Sequence, residues 1–294
     1  MDYILRATAG NGSVRAFAAK TKETVNTAFS VHKTSPVMTA ALGRTLTAGA
    51  LMGCMLKDDN DILTINIKGD GPGGGIIVTA NNKVEVKGYC FNNLVDIPLK
   101  PNGKLDVSGA LGHGSFTVIK DLGLKEPYVG QIPLVSGEIA EDLTYYFATS
   151  EQIPSAVALG VLVDRDYTVK QAGGFVIQLM PDADEEIISS VEEKMTGIKS
   201  VTSMFEAGKE PFDILNDILG NSGLNILDEI PVSFRCGCSR ERVEKALLSI
   251  GKSELDDIIE NDREATLHCH FCNTDYKFDE DYLKTLRDAL NEQK

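Results

Sequence analysis

The sequence predicts an α+β protein in three parts: an N-terminal domain of mixed sheet and helix over residues 1–181, a helical linker over 182–230, and a small C-terminal domain over 231–294. Three observations carry this reading. Period-two apolar alternation and helical apolar spacing interleave through the first part. The net charge of −14 is unevenly spread: residues 182–230 hold 3 basic and 12 acidic side chains, against 16 and 17 in 1–181 and 10 and 14 in 231–294. Four of the six cysteines lie beyond residue 235. The length of 294 residues suits two domains, or one large domain with an appendage, at ~100–200 residues per domain. Apolar residues at 43% and charged residues at 24% exclude a chain disordered throughout.

In the first part, Ser35-Pro36 is a helix start, with Ser as N-cap and Pro at the first helical position. Val37, Ala40, Ala41, Leu51, Met52 and Met55 follow at helical spacing. ILTINIK then alternates, with Leu63, Ile65 and Ile67 on one face and Thr64, Asn66 and Lys68 on the other, as a half-buried strand does. KVEVKGY (83–89), KLDVSG (104–109) and SFTVIK (115–120) are read as further strands. Glu141–Gln152 is read as a helix that ends before Pro154, and AVALGVLVD and GGFVIQLM as buried strands. Substantial antiparallel sheet is expected.

Residues 183–206 carry a helical stripe of Ile187, Ile188, Val191, Met195, Ile198, Met204 and Phe205, and residues 210–220 form a second short helix closed by Gly220. Both place acids opposite the stripe, as solvated amphipathic helices between domains would. In the tail, Ser239 caps a helix with Val243, Ala246, Leu247 and Ile250 inward, and Ser253 caps another with Leu255, Ile258 and Ile259 inward. A last helix begins near Asp279, with Tyr282, Leu283, Leu286 and Leu290 inward. Domains of this size usually need a metal or disulfides.

No apolar run approaches the ~18 residues of a membrane span, and MDYILRATAGNGSVRAFAAK lacks a basic-then-apolar signal pattern, so a cytoplasmic protein is expected. Permanent disulfides are not expected there. An acidic chain repels phosphate backbones, which argues against non-specific nucleic-acid binding. GDGPGG (69–74) fits G-x-G-x-x-G, but strand-like Gly75-Ile76-Ile77-Val78-Thr79 follows where a dinucleotide site needs a helix, so it is read as a turn. No G-x-x-x-x-G-K-[ST] loop is present. His32 and His113 have no partner that chain position establishes, and Cys54 and Cys90 are read as buried packing. No catalytic residue and no cofactor-binding loop is assigned, so the chain is not read as an enzyme.

The strong signal is Cys236-Gly237-Cys238, thirty intervening residues, then Cys269-His270-Phe271-Cys272. Two cysteine pairs can supply four thiolates to one tetrahedral Zn²⁺ at ~2.3 Å. One zinc per chain is expected, and residues 231–294 are read as a zinc-binding domain. His268 and His270 flank the site as alternative ligands, but four cysteines already complete it. A closed shell leaves no position for a reacting water, which argues against a metallohydrolase. Two readings follow: a structural zinc module that holds a partner such as nucleic acid, or a redox switch, since zinc-bound cysteines are already the thiolates that oxidants attack.

These residues resemble the heat shock protein 33 family, the bacterial redox-regulated holdases. The hallmark C-x-C, spacer and C-x-x-C are present, and the resemblance extends through HKTSPVMTAALGRTLTAGALMG (32–53), IKGDGPGGG (67–75), DIPLKPNGKLDV (96–107), residues 120–163 and AGGFVIQLMP (172–181). The acidic linker matches least. The resemblance implies an inactive reduced form with zinc on Cys236, Cys238, Cys269 and Cys272. Under peroxide or hypochlorous acid, with unfolding conditions, it implies disulfides Cys236–Cys238 and Cys269–Cys272, zinc release and linker unfolding. It also implies that the active form dimerises and holds unfolded clients without ATP; no nucleic-acid or membrane partner is expected, from the acidic charge and the lack of a long apolar run. The rivals are a zinc-ribbon nucleic-acid module, separable by salt-dependent retention on nucleic acid, and a thiol oxidoreductase, separable by insulin-reduction turnover.

Overall fold

The computed structural model describes residues 1–292 apart from 182 and 199. The chain forms two compact units, Met1–Arg235 and the residues from Cys236 onward. It is mixed α+β, as expected. Among the described residues no helix is long and apolar enough to cross a membrane.

The first unit runs β1 (Tyr3–Ala9), β2 (Val14–Lys20), α1 (Lys22–His32), α2 (Pro36–Gly53), β3 (Ile62–Gly69), β4 (Gly75–Asn81), β5 (Glu85–Cys90), α3 (Val107–Leu111), β6 (Gly114–Asp121), β7 (Tyr128–Pro133), α4 (Ala140–Tyr146), β8 (Ser155–Val163) and β9 (Val169–Leu179). It continues through α5 (Glu185–Gly197), α6 (Val201–Glu206), α7 (Pro211–Leu219), β10 (Asn225–Pro231) and β11 (Ser233–Phe234). One sheet has the order β10-β1-β2-β9-β8 and the other β11-β5-β4-β3-β6-β7.

Helix α2 packs against strands of both sheets, and only Pro36 and Arg44 of its residues escape burial. A helix apolar all round belongs in a core. Its polar groups are satisfied locally: Thr45 and Thr47 donate to the carbonyls of Ala41 and Gly43, each at 2.8 Å, and Thr47 meets Thr21 at 2.7 Å. Gly49 permits the close approach to the sheet, because a Cβ there would lie 2.7 Å from Val78 Cγ1.

Helices α5 to α7 cover the face of the first sheet opposite α2. Val191, Val201, Phe205, Ile214, Leu215, Ile218 and Leu219 pack on Leu5, Ala7, Ala16, Ala18, Phe175 and Ile177. Glu185, Glu186, Glu192 and Glu193 remain exposed. The amphipathic stripe read from the sequence is thus the underside of a layer on the sheet.

Several local readings are corrected. KLDVSG is not a strand: Asp106 accepts from Gly109 N at 2.9 Å and starts α3. The helix over 183–206 is split, because Ile198 is extended and Ser200 begins α6 afresh. Glu141–Gln152 is helical throughout only if the wider π turn over Phe147–Glu151 is included, and Gln152 ends it at φ 57. Strand β8 is only half-buried, being the sheet's edge.

The second unit holds α8 (Arg240–Ser249), α9 (Lys252–Asn261), β12 (Glu264–Cys269), β13 (Thr274–Asp279) and α10 (Glu280–Glu292), with β12 and β13 paired antiparallel. Ser239 caps α8, accepting from Arg242 N at 3.3 Å. Ser253 lies inside α9, which Gly251 starts instead at φ 91. The apolar core is small: Leu247, Leu255, Ile259, Phe278, Leu283 and Leu286 are its buried members.

Candidate metal centre

The second cysteine pair is shaped by a hairpin. Cys269 ends β12, and its carbonyl accepts from Cys272 N at 3.3 Å and from Asn273 N at 2.8 Å. Asn273 takes φ 59, a left-handed position that Asn tolerates, and the turn folds the chain back into β13. The first pair lies just before α8. There Arg242 Nη1 donates to the carbonyl of Gly237 at 2.8 Å, tying the C-x-C segment to the first turn of the helix.

The four Sγ atoms lie within 4.8 Å of one another. Cys236 and Cys269 are 3.7 Å apart and Cys238 and Cys272 are 3.2 Å apart. All four are free thiols. A tetrahedral ion with bonds of ~2.3 Å has sulfur–sulfur edges of ~3.8 Å, so the set has the dimensions of a four-thiolate zinc site. The Cys236 thiol is pushed up to about 12, mainly by burial and partly by contacts with Cys238 and Cys269, against a lowering by the Cys238 backbone N–H. Crowded thiols oppose one another's ionisation, and a divalent cation among them would reverse that.

Two further side chains reach the sulfurs. Tyr276 Oη donates to Cys238 Sγ at 3.1 Å, and Thr274 Oγ1 lies 3.3 Å from Cys272 Sγ. Sequence reasoning did not find them; the only signal was their position on the strand that follows the C-x-x-C turn. Cys272 Sγ donates to Thr274 Oγ1 here, whereas the Tyr276 hydroxyl is a donor of the kind that orients and stabilises a thiolate ligand. Tyr276→Phe is expected to weaken zinc binding about tenfold while leaving the unit folded, as chelator competition beside circular dichroism would measure. His268 and His270 stand outside the four-cysteine set: His268 Nδ1 is 2.6 Å from Asp275 Oδ1, and the two rings are 5.2 Å apart.

The other singled-out residues belong to the fold. GDGPGG joins β3 to β4, and its amides are committed to protein carbonyls: Gly71 N to Leu111 O at 2.9 Å, and Gly73 N to Ala110 O at 2.8 Å. His113 N donates to Asp70 Oδ1 at 2.7 Å. His32 is buried, edge-on to Phe234 at 6.3 Å. Cys54 and Cys90 are buried; burial pushes the Cys54 thiol up to about 12 against the pull of Arg6, and raises that of Cys90 as well.

An α+β unit of two sheets around a buried helix, followed by a small tetrathiol unit, defines a two-part protein whose chemistry is concentrated in cysteine. The family model described as Hsp33 protein matches residues 2–279. The chain is 57% identical to the 33 kDa chaperonin of Lachnoclostridium phytofermentans, over 97% of this chain and 98% of that protein. It is 56% identical to the 33 kDa chaperonin of Clostridioides difficile, over 96% of this chain and 97% of that one. The crystal structure of the 33 kDa chaperonin from Thermotoga maritima superposes with a TM-score of 0.91 at 38% identity, covering 99% of each chain. The chain belongs to the Hsp33 family of chaperones.

Proposed function

We propose that this protein is a redox-regulated holdase, which binds unfolding proteins under oxidative stress without ATP. The observation that carries the reading is the gathering of Cys236, Cys238, Cys269 and Cys272 within 4.8 Å in a chain of a chaperone family. Reduced, these residues would hold one Zn²⁺ per chain and keep the small unit ordered. A bound zinc would supply the charge that keeps all four cysteines as thiolates.

Oxidation consumes that ligand set. Each cysteine pair yields two electrons to one peroxide, forming a disulfide, and the peroxide leaves as two waters with protons drawn from thiol or solvent. The short contacts at 3.7 and 3.2 Å join Cys236 to Cys269 and Cys238 to Cys272, but all four sulfurs lie within 4.8 Å and either pairing is in reach once an ion leaves. Short loops close most readily, which favours Cys236–Cys238 and Cys269–Cys272.

In this reading residues 1–181 are the chaperone core and dimerisation domain, 182–230 a metastable linker, and 231–294 the zinc-binding switch. The partners are unfolded clients and, on activation, a second copy of the chain, in the cytoplasm. The apolar underside of α5 to α7 and the sheet beneath it supply surface for clients once the linker loosens.

The test is a zinc and free-thiol count before and after peroxide at raised temperature, beside suppression of client aggregation. One zinc lost and four thiols consumed as aggregation suppression appears is the expected result. Peptide mapping should find the two near-neighbour disulfides, with Cys54 and Cys90 still alkylatable after denaturation. A Cys236–Cys269 link would overturn the pairing.

A further inference from the structure

The chain between Asn225 and Phe234 closes an edge of each sheet in turn: β10 lies antiparallel beside β1, and β11 parallel beside β5. The two edges are held differently from the strands they cover. Strand β1 is deeply buried, with Ile4 and Ala7 at 0% and Ala9 at 1% exposure. Strand β10 alternates exposed and half-buried residues with none fully buried, and its register on β1 slips between Arg6 and Ala7. Its polar side-chain anchor is Arg6, which holds Asp228 in a bidentate, partly exposed ion pair with Nε 3.0 Å from Oδ1 and Nη2 on Oδ2. Ile226 and Ile230 add partly buried apolar contacts with the two cores, Val232 is buried just beyond the strand, and main-chain pairing, which does not read sequence, supplies the rest. A short way beyond β10 the chain enters Cys236.

We propose that β10 is a placeholder strand, and that the β1 edge it covers is a docking site for an extended segment of an unfolding polypeptide, taken up by main-chain hydrogen bonding as an added strand. The strand seated there defines what fits: an extended segment with an apolar residue for each face of the sheet, as Ile230 opposite Ile4 and Ile226 opposite Ala7 supply, and an acidic or neutral residue opposite Arg6. The proposal rests on the redox reading above, which says when β10 leaves: disorder starting at Cys236 removes the fixed end of the segment that β10 and β11 form.

The test uses the full-length protein, oxidised and warmed, with a thermally unfolding client. A synthetic peptide of residues 225–231, NILDEIP, in excess is expected to lower client capture at least about twofold by mass action. The same peptide N-methylated at the amides that face β1 is expected to have no effect. Equal competition by both peptides, or by neither while client is still held, overturns the edge-pairing proposal and leaves the redox reading standing. If the oxidised protein holds no client at all, the redox reading fails and this one with it.

In the reduced, zinc-loaded protein, Asp228→Arg sets like charges against each other. It is expected to raise hydrogen exchange across residues 3–9 and client capture about tenfold, and Arg6→Asp with Asp228→Arg is expected to restore wild-type values. Unchanged exchange in Asp228→Arg would overturn the proposal. Self-association of that variant, reversed by NILDEIP, would also overturn it by assigning the edge to a second copy.

Discussion

Cys269→Ser is expected to weaken zinc binding by roughly a hundredfold and to leave the unit beyond Cys236 largely unfolded at micromolar metal. Structural zinc contributes ~10–16 kcal/mol in small domains, and a quarter of that, about 3 kcal/mol, is a factor of about a hundred in affinity. The unit has little else to depend on. Its buried core is Leu247, Leu255, Ile259, Phe278, Leu283 and Leu286, and its hairpin presents mostly exposed side chains. A hydroxyl at 269 is a poor zinc ligand, and it also removes the sulfur 3.7 Å from Cys236. Chelator competition measures the affinity, and circular dichroism with and without metal measures the fold. Wild-type affinity in this variant would refute the assignment of Cys269 as a ligand.

The second large effect concerns the acidic segment. In the oxidised, warmed protein, hydrogen exchange across α5 to α7 is expected to rise roughly a hundredfold or more, together with holdase activity. The segment 182–230 carries a net −9, so self-repulsion opposes its compact form. Its adhesion is the stripe of Val191, Val201, Phe205, Ile214, Leu215, Ile218 and Leu219 on the sheet. Each such side chain contributes ~1.5–3 kcal/mol on burial, against ~1–2 kcal/mol of backbone ordering for every residue fixed. On that balance the layer is expected to be marginal, and loosening of the chain at Cys236 would weaken its hold on the C-terminal side. Protection that stays unchanged while holdase activity appears would place the client surface elsewhere.

Local chemistry was readable wherever one residue decides a local conformation. Ser35-Pro36 starts α2, Ser239 caps α8, and the glycines of GDGPGG mark the turn between two strands. KLDVSG misled because alternation over a short stretch cannot compete with Asp106, whose carboxylate captures Gly109 N. Ser253 misled because two cap-competent residues stand close together and Gly251, at φ 91, reaches the required turn first. At the candidate metal centre the four cysteines were legible from spacing alone. Tyr276 and Thr274 were not, because their reach to the sulfurs depends on how β13 folds back from the turn.

The sequence by itself determined which side chains carry the chemistry, where the charge is concentrated, and which stretches prefer helix, since each depends on residues close together in the chain. Only the tertiary structure decided that α2 packs against both sheets, that the acidic helices lie on β1, β2 and β9, and that residues 225–231 become a strand. The Arg6–Asp228 pair that fixes β10 on β1 joins residues 222 apart in sequence. Pairing over such distances is set by which edges and apolar faces are left uncovered once the rest has packed, and no local pattern records that.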